Sequence, residues 1–196
     1  MNAKVNFALA LFLMVAACSG SPEIRYYTLS AESASLDAVA PTRLSGRAYA
    51  VDAVVIPDVL DRPQLVLRSG PNAVQVLDYD RWASPLPDQL QRVFTADLSA
   101  RLGGVAIADP GLPLPPDSGR IAISILTFDL DRHGESFVDV SWAVSGTGPG
   151  TTESFHVRHA VPSTGSDIAA LVASMSRAVA MVAKDITVSL ASVASP

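Results

Sequence analysis

Apolar residues are distributed along this chain in three patterns, and each predicts a different kind of segment. The first is a compact run from Phe7 to Ala17, shorter than the roughly 20 residues that cross a hydrocarbon core. The second is a set of short segments rich in branched and aromatic residues, bounded by Gly, Pro, Asn and Asp, which read as β-strands. These are Arg25–Leu29, Arg47–Ile56, Gln64–Arg68, Ala73–Asp78, Val105–Ala108, Ile121–Leu130, Ser136–Ser145 and Thr151–Val161. Ser69-Gly70-Pro71-Asn72 supplies turn chemistry for a hairpin, and Asp131–Glu135 and Gly146–Gly150 punctuate an antiparallel meander. Residues 30–46 are mostly small and polar and read as a connector.

The third pattern steps by three and four. Pro85 opens a stretch in which Leu86, Leu90, Val93, Phe94, Asp97, Leu98, Arg101 and Leu102 fall at helical spacing. Asp88 complements the positive helix start, and Gly103-Gly104 stops the helix. A longer stretch follows Ser163–Asp167, with Ile168, Leu171, Val172, Met175, Val179, Val182, Ile186 and Leu190 on one stripe. Its alanines permit close packing on a sheet. The predicted fold is therefore α/β or α+β: a single mixed sheet with two covering helices, including a long C-terminal one.

The short apolar run changes the picture of where this body resides. It follows Lys4 and ends in Val15-Ala16-Ala17-Cys18-Ser19-Gly20, small residues before a cysteine, which is the arrangement of a lipobox-type signal. Residues 1–17 then form a signal peptide, Cys18 becomes the lipid attachment site, residues 18–46 hold the lipidated N-terminus with a first strand and connector, and 47–196 form the globular domain. The competing reading is an ordinary signal peptide with an accidental cysteine, which would leave a lone free thiol in an oxidising compartment. One acyl chain holds a protein only marginally, at about 0.8 kcal/mol per buried methylene, whereas two or more hold it stably. In enterobacterial-type sorting an Asp after the cysteine retains a lipoprotein at the inner membrane. Ser19 stands there, favouring the outer membrane, facing the periplasm.

Charge and residue chemistry narrow the function classes. The formal net charge of −5 carries no basic footprint for nucleic acid. The only lysines are Lys4 and Lys184, so no phosphate cradle of the glycine-rich type exists. His156 and His159, three apart in a strand, point to opposite faces and are poorly placed to share a metal, and His133 lies in a turn. Ser136 lacks the second glycine of a nucleophile elbow, and Asp58, Asp61, Asp78 and Asp80 suggest capped turns or strand positions. No catalytic residue, metal ligand or cofactor is expected. Trp82 and Trp142 read as core residues.

The order and spacing of Arg25–Leu29 behind the lipobox, Ile56–Val66, Arg81–Leu86 and Leu98–Leu102 resemble the PqiC family, auxiliary lipoproteins of ABC-type transporters that work with MCE-domain proteins. The resemblance runs over the mature chain through the Trp142-bearing strand to the last helix. It implies a noncatalytic component of an intermembrane lipid transport system, partnered by an MCE-domain protein and inner-membrane transporter subunits, with Cys18 as the residue that carries over. The transported lipid and the oligomeric state stay open. Asp58, Leu60, Asp61 and Arg62, between Pro57 and Pro63, are the candidate partner surface, with exposed charge expected beside Leu60; the alternative is a conformationally fixed link between strands. Two other classes remain: a carrier with its own apolar cavity, which a solvent-open apolar pocket would favour, and a hydrolase, which a cleft gathering Ser, His and Asp would favour.

Overall fold

The computed structural model describes residues 22–32, 44, 47–103, 105–116, 118–131, 135–145 and 152–193. The signal run, Cys18, Gly104, most of the predicted connector and residues 132–134 and 146–151, where turns are predicted, lie outside them. The described chain forms eight strands and two α-helices: β1 (Arg25–Tyr27), β2 (Ala48–Val51), β3 (Gln64–Gly70), β4 (Ala73–Trp82), α1 (Leu86–Arg101), β5 (Ala106–Ala108), β6 (Gly119–Asp131), β7 (Glu135–Ser145), β8 (Thr152–Pro162) and α2 (Ile168–Val193). A 3-10 turn covers Asp58–Leu60. All eight strands belong to one mixed sheet, so the architecture is α+β.

β6 is the axis of that sheet. On one flank it pairs antiparallel with β7, which pairs antiparallel with β8, giving the expected meander. On the other flank its beginning runs parallel to β2, with Val51 opposite Ile121, and its end runs parallel to β3, with Leu67 opposite Leu130. β3 and β4 form the expected hairpin. The strand of β4 continues past Asp78 to Trp82 because β1 lies parallel beside it, Arg25 opposite Asp80 and Tyr27 opposite Trp82.

Alternation along β6 and β7 divides the sheet into two faces. Ile121, Ile123, Ile125, Val138, Val140, Trp142 and Val144 are buried on one face. An irregularity between Ile125 and Thr127 shifts the phase, so Leu126 is exposed while Phe128 and Leu130 return to the core. Both helices serve that same core. In α1, Leu86, Leu90, Phe94 and Leu98 are buried, as the stripe predicts. In α2, Leu171, Met175, Val179, Val182 and Ile186 are fully buried. A second buried row on α2, including Ser176, Ala180, Ala183 and Thr187, reflects burial on two sides, against the sheet and against α1. Small residues are needed there because helix axes approach to about 8–10 Å.

Local chemistry fixes the element ends. The Asp167 carboxylate accepts from the Ala170 amide at 2.8 Å, a side-chain cap at the start of α2. At the start of α1, Pro85 takes the N-cap position without a side-chain bond, and the Gln89 amide reaches the Pro85 carbonyl. Gly119, at the start of β6, faces Tyr49: a Cβ there would lie 2.5 Å from the ring and 2.9 Å from the Ser145 carbonyl oxygen. Close approach of a buried ring requires the glycine.

Candidate functional site

The loop between β2 and β3 is partly as expected. Asp58, Asp61 and Arg62 are exposed, with charges open to solvent. Leu60 is not beside them at the surface but is buried at 8% exposure, within the main core. The physical reason is the 3-10 turn: with three residues per turn, one of its three side chains faces inward, and the apolar Leu60 takes that place. Val59, 42% exposed, is the apolar side chain that the loop presents.

The candidates for metal or nucleophilic chemistry are dispersed. His156 bonds Asp139 on β7 at 2.6 Å, while His159 bonds Asp185 on α2 at 2.6 Å, from opposite sides of β8. Ser136 is fully buried and shares a hydrogen bond with Ser174, which donates onward to the Leu171 carbonyl. Trp142 donates to Ser189 at 2.9 Å and stacks on Phe155, and Trp82 packs against Phe128. Among the described residues, no group of three or more His, Cys, Asp or Glu side chains gathers, and no helix is long and apolar enough to cross a membrane.

Two features were not foreseen from sequence. The first is a strap, Thr28–Glu32, that leaves β1 and lies over the two helices. The Leu29 amide donates to Gln89 Oε1 at 2.9 Å, the Ser30 amide to Ser176 Oγ at 3.1 Å, and the Glu32 amide to Asp97 Oδ1 at 2.9 Å. Gln89 is held in turn by the Ser84 carbonyl. Polar residues at buried helix positions thus do for the strap what a neighbouring strand does elsewhere: they satisfy its amides. Asp97 is fully buried, and that burial raises its carboxyl from 3.8 to about 6, against the pull of the Glu32 amide and of Arg101. Arg101, one turn on, donates to the Ala180 carbonyl at 3.0 Å, and burial lowers its pKa. Among the described residues, Asp97 Oδ2 and Arg101 Nε have no hydrogen-bond partner. The signal in the sequence was Asp97 and Arg101 inside an otherwise apolar stripe.

The second feature is the face of the sheet opposite the helices. Ala122, Ser124, Ser141, Ala143 and Ser154 occupy it, alternating with the core residues, and with Ala53 and Val55 they line a shallow furrow of about 270 Å³. Val55 is 62% exposed and Leu126 50%. Arg68 and Asp129 form an ion pair there, and that hydrogen bond raises the Arg68 pKa. A wider, solvent-open groove of about 760 Å³ follows α1 and is lined by Asp88, Gln91, Arg92, Thr95, Ala96, Ser99, Asp109 and Pro110, a mixture of charged, polar and apolar groups.

At the β1–β4 edge, Asp80 is buried and takes both Arg25, at 2.8 Å, and the Tyr27 hydroxyl, at 2.9 Å. The Asp80 hydrogen bond raises the Arg25 pKa, while burial and the same carboxylate raise that of Tyr27. β1 is thereby fastened at its side chains, its strand pairing and the strap that follows.

Comparison with known proteins agrees with this architecture. Residues 27–187 match the family model of ABC-type transport auxiliary lipoprotein components. The intermembrane transport lipoprotein PqiC of Escherichia coli K12 is 26% identical over 137 residues, 69% of this chain and 71% of that protein. The fold matches a crystal structure of an uncharacterised protein with a TM-score of 0.74 and 20% identity, covering 86% of this chain and 99% of that one. A Xanthomonas campestris protein gives 0.67 and 18%, covering 86% and 95%. The match runs from β1 into the last helix, and this chain belongs to the family of ABC-type transport auxiliary lipoprotein components.

Proposed function

We propose that this lipoprotein is held by acyl chains on Cys18 in the outer membrane, facing the periplasm, and serves as a noncatalytic docking or conduit component for an MCE-domain protein in intermembrane lipid transport. The family match over residues 27–187 carries this reading. The E. coli relative bears the name of an intermembrane transport lipoprotein, and this chain shares its pattern over most of the domain. Inner-membrane transporter subunits complete the assembly. The dispersal of Ser136, His156 and His159 into structural contacts is consistent with a role without chemistry of its own.

The loop at Asp58, Asp61 and Arg62 supplies the partner contact, with Val59 rather than Leu60 as its apolar element. Crosslinking and co-purification from native membranes test the reading. An MCE-domain protein should be captured with the intact lipoprotein, and its absence overturns the assignment. An Asp58→Lys, Val59→Asp, Arg62→Glu variant that melts like the parent should lose the complex; retained binding would move the contact elsewhere. A Leu60 substitution cannot serve, since it would disturb the core.

A further inference from the structure

The tether and the corner of the sheet to which it leads set a geometric constraint. Cys18 precedes Ile24 by six residues, a span of about 20 Å when fully extended. The fastening of β1 to Asp80, and of the strap to Gln89, Ser176 and Asp97, keeps residues beyond Ile24 from paying out more chain. The start of β1 is therefore confined to within about 20 Å of the bilayer that holds the acyl chains.

The side chains at that spot are those of a membrane interface. Arg25 and Tyr27 turn toward Asp80 on the core side of β1. Tyr26 therefore points to the opposite side, as does Ile24 two residues before it. Continuing the Arg25–Asp80 register by one step places Ile24 beside Tyr79 of β4. Tyr26 is 63% exposed, Tyr79 45% and Ile24 36%. The Arg25 charge is met by Asp80; Arg81, the register partner of Tyr26, lies on the same face as the cluster, and Glu23 and Asp78 flank it. Two tyrosines and an isoleucine, each with an apolar body and the tyrosines with a polar tip, suit the boundary between headgroups and acyl chains.

We propose that the corner formed by Ile24, Tyr26 and Tyr79 rests in the interfacial layer of the bilayer, so that the domain stands on its β1–β4 edge. The acyl chains provide retention and the corner provides orientation. α2 packs on the other face of the sheet; its first half reaches the strap at Ser176, and Val188 lies about three turns farther along the helix. This inference rests on lipidation at Cys18, and the test separates the two.

Cys18 is the only cysteine in the chain. Acylated wild type therefore has no free thiol, and Tyr26→Cys, Tyr79→Cys and Val188→Cys each add a single one. Val188, 63% exposed on α2, is the distal control. Each full-length protein is labelled with a thiol-reactive nitrobenzoxadiazole dye. It is then reconstituted in vesicles of phosphatidylethanolamine and phosphatidylglycerol, with or without a phosphatidylcholine bearing a nitroxide on its acyl chain. The dyes at positions 26 and 79 should be blue-shifted and lose emission about twofold or more with nitroxide lipid, and the dye at 188 should be unchanged. Quenching at 26 and 79 no greater than at 188, in proteins that melt like the parent, overturns the inference and leaves lipidation intact. Labelling of the wild type would show Cys18 to be free, removing the tether and with it both readings.

Discussion

Replacing Asp97 with asparagine isolates the electrostatics beneath the strap. The carboxyl is fully buried, and its pKa is raised from 3.8 to about 6 chiefly by that burial. The folded state thus binds the proton more tightly than the unfolded chain. The stability this contributes is fully present below 3.8 and is lost as pH rises through about 6. At 1.36 kcal/mol per pKa unit the shift is worth about 3 kcal/mol, so the ionised carboxylate burdens the fold by about that amount at pH 7.5. Asparagine keeps an oxygen for the Glu32 amide and carries no charge. Its NH2 group replaces Oδ2, which has no partner among the described residues, so an unsatisfied donor costs about 1–3 kcal/mol.

That second cost is independent of pH, so the pH dependence of the difference between variant and parent is the decisive quantity. Urea unfolding followed by the emission of the buried Trp82 and Trp142, at intervals from pH 7.5 to 4 in mild detergent, measures it. Ion pairs such as Arg25–Asp80 change both proteins alike and cancel. The variant's stability relative to the parent should fall by about 2.4 kcal/mol across that range, most of it below pH 6. A difference constant to within about 0.5 kcal/mol would refute the account, because a desolvated Asp97 must then have been neutral or well solvated throughout.

Gly119→Ala should destabilise by about 1–3 kcal/mol in the same assay, because its Cβ would meet the Tyr49 ring at 2.5 Å and neither that buried ring nor the Ser145 carbonyl can yield freely. Leu60→Ala should cost about 2–5 kcal/mol, the cost of a core cavity, whereas Val59→Ala should cost little; equal effects would contradict the inward turn of Leu60. Ile186→Asp should abolish cooperative thermal unfolding, since it places an unpaired charge at a fully buried position between α2 and the sheet. Cys18→Ser should release the protein from its membrane or misroute it, and mass analysis of the mature N-terminus of the parent should find the acyl groups on Cys18.

The antiparallel half of the sheet was legible because its information is local. In Ile121-Ala-Ile-Ser-Ile and Val140-Ser-Trp-Ala-Val the period of two separates the core face from the Ala/Ser face, and short polar breaks leave neighbours no choice but to pair. The helix Ile168–Val193 was legible for the analogous reason, apolar residues stepping by three and four. The parallel pairings were not. β1 meets β4 across more than fifty residues, and nothing in Arg25-Tyr26-Tyr27 names that partner, so the continuation of β4 to Trp82 was invisible as well. Leu60 was misplaced because a turn of three residues carries no periodicity to reveal which side chain faces inward. The strap escaped notice because its bonds run from backbone amides, which every sequence possesses, to Gln89, Asp97 and Ser176, residues that on a helix ordinarily face water.

Those bonds also decide how a pull on the N-terminus is distributed. In a domain held through Cys18, as proposed, drag and partner forces against the anchor fall on the first elements of the fold. β1 alone is three residues long and lies at the sheet edge, a weak attachment by strand pairing. Behind it, however, three consecutive points of hold alternate between the two helices: Gln89 and Asp97 on α1, Ser176 on α2. Peeling the strap would break three hydrogen bonds and hand their acceptors to water, at a net cost of about 0.5–1.5 kcal/mol each. The load is thereby passed from an edge strand to the packed helix layer. An asparagine there would remove the desolvation cost of the charge but leave an unsatisfied donor, and a carboxylate accepts an amide more strongly than a neutral group does. The charge at Asp97 thus holds the Glu32 amide of the strap more firmly, at a cost in desolvation.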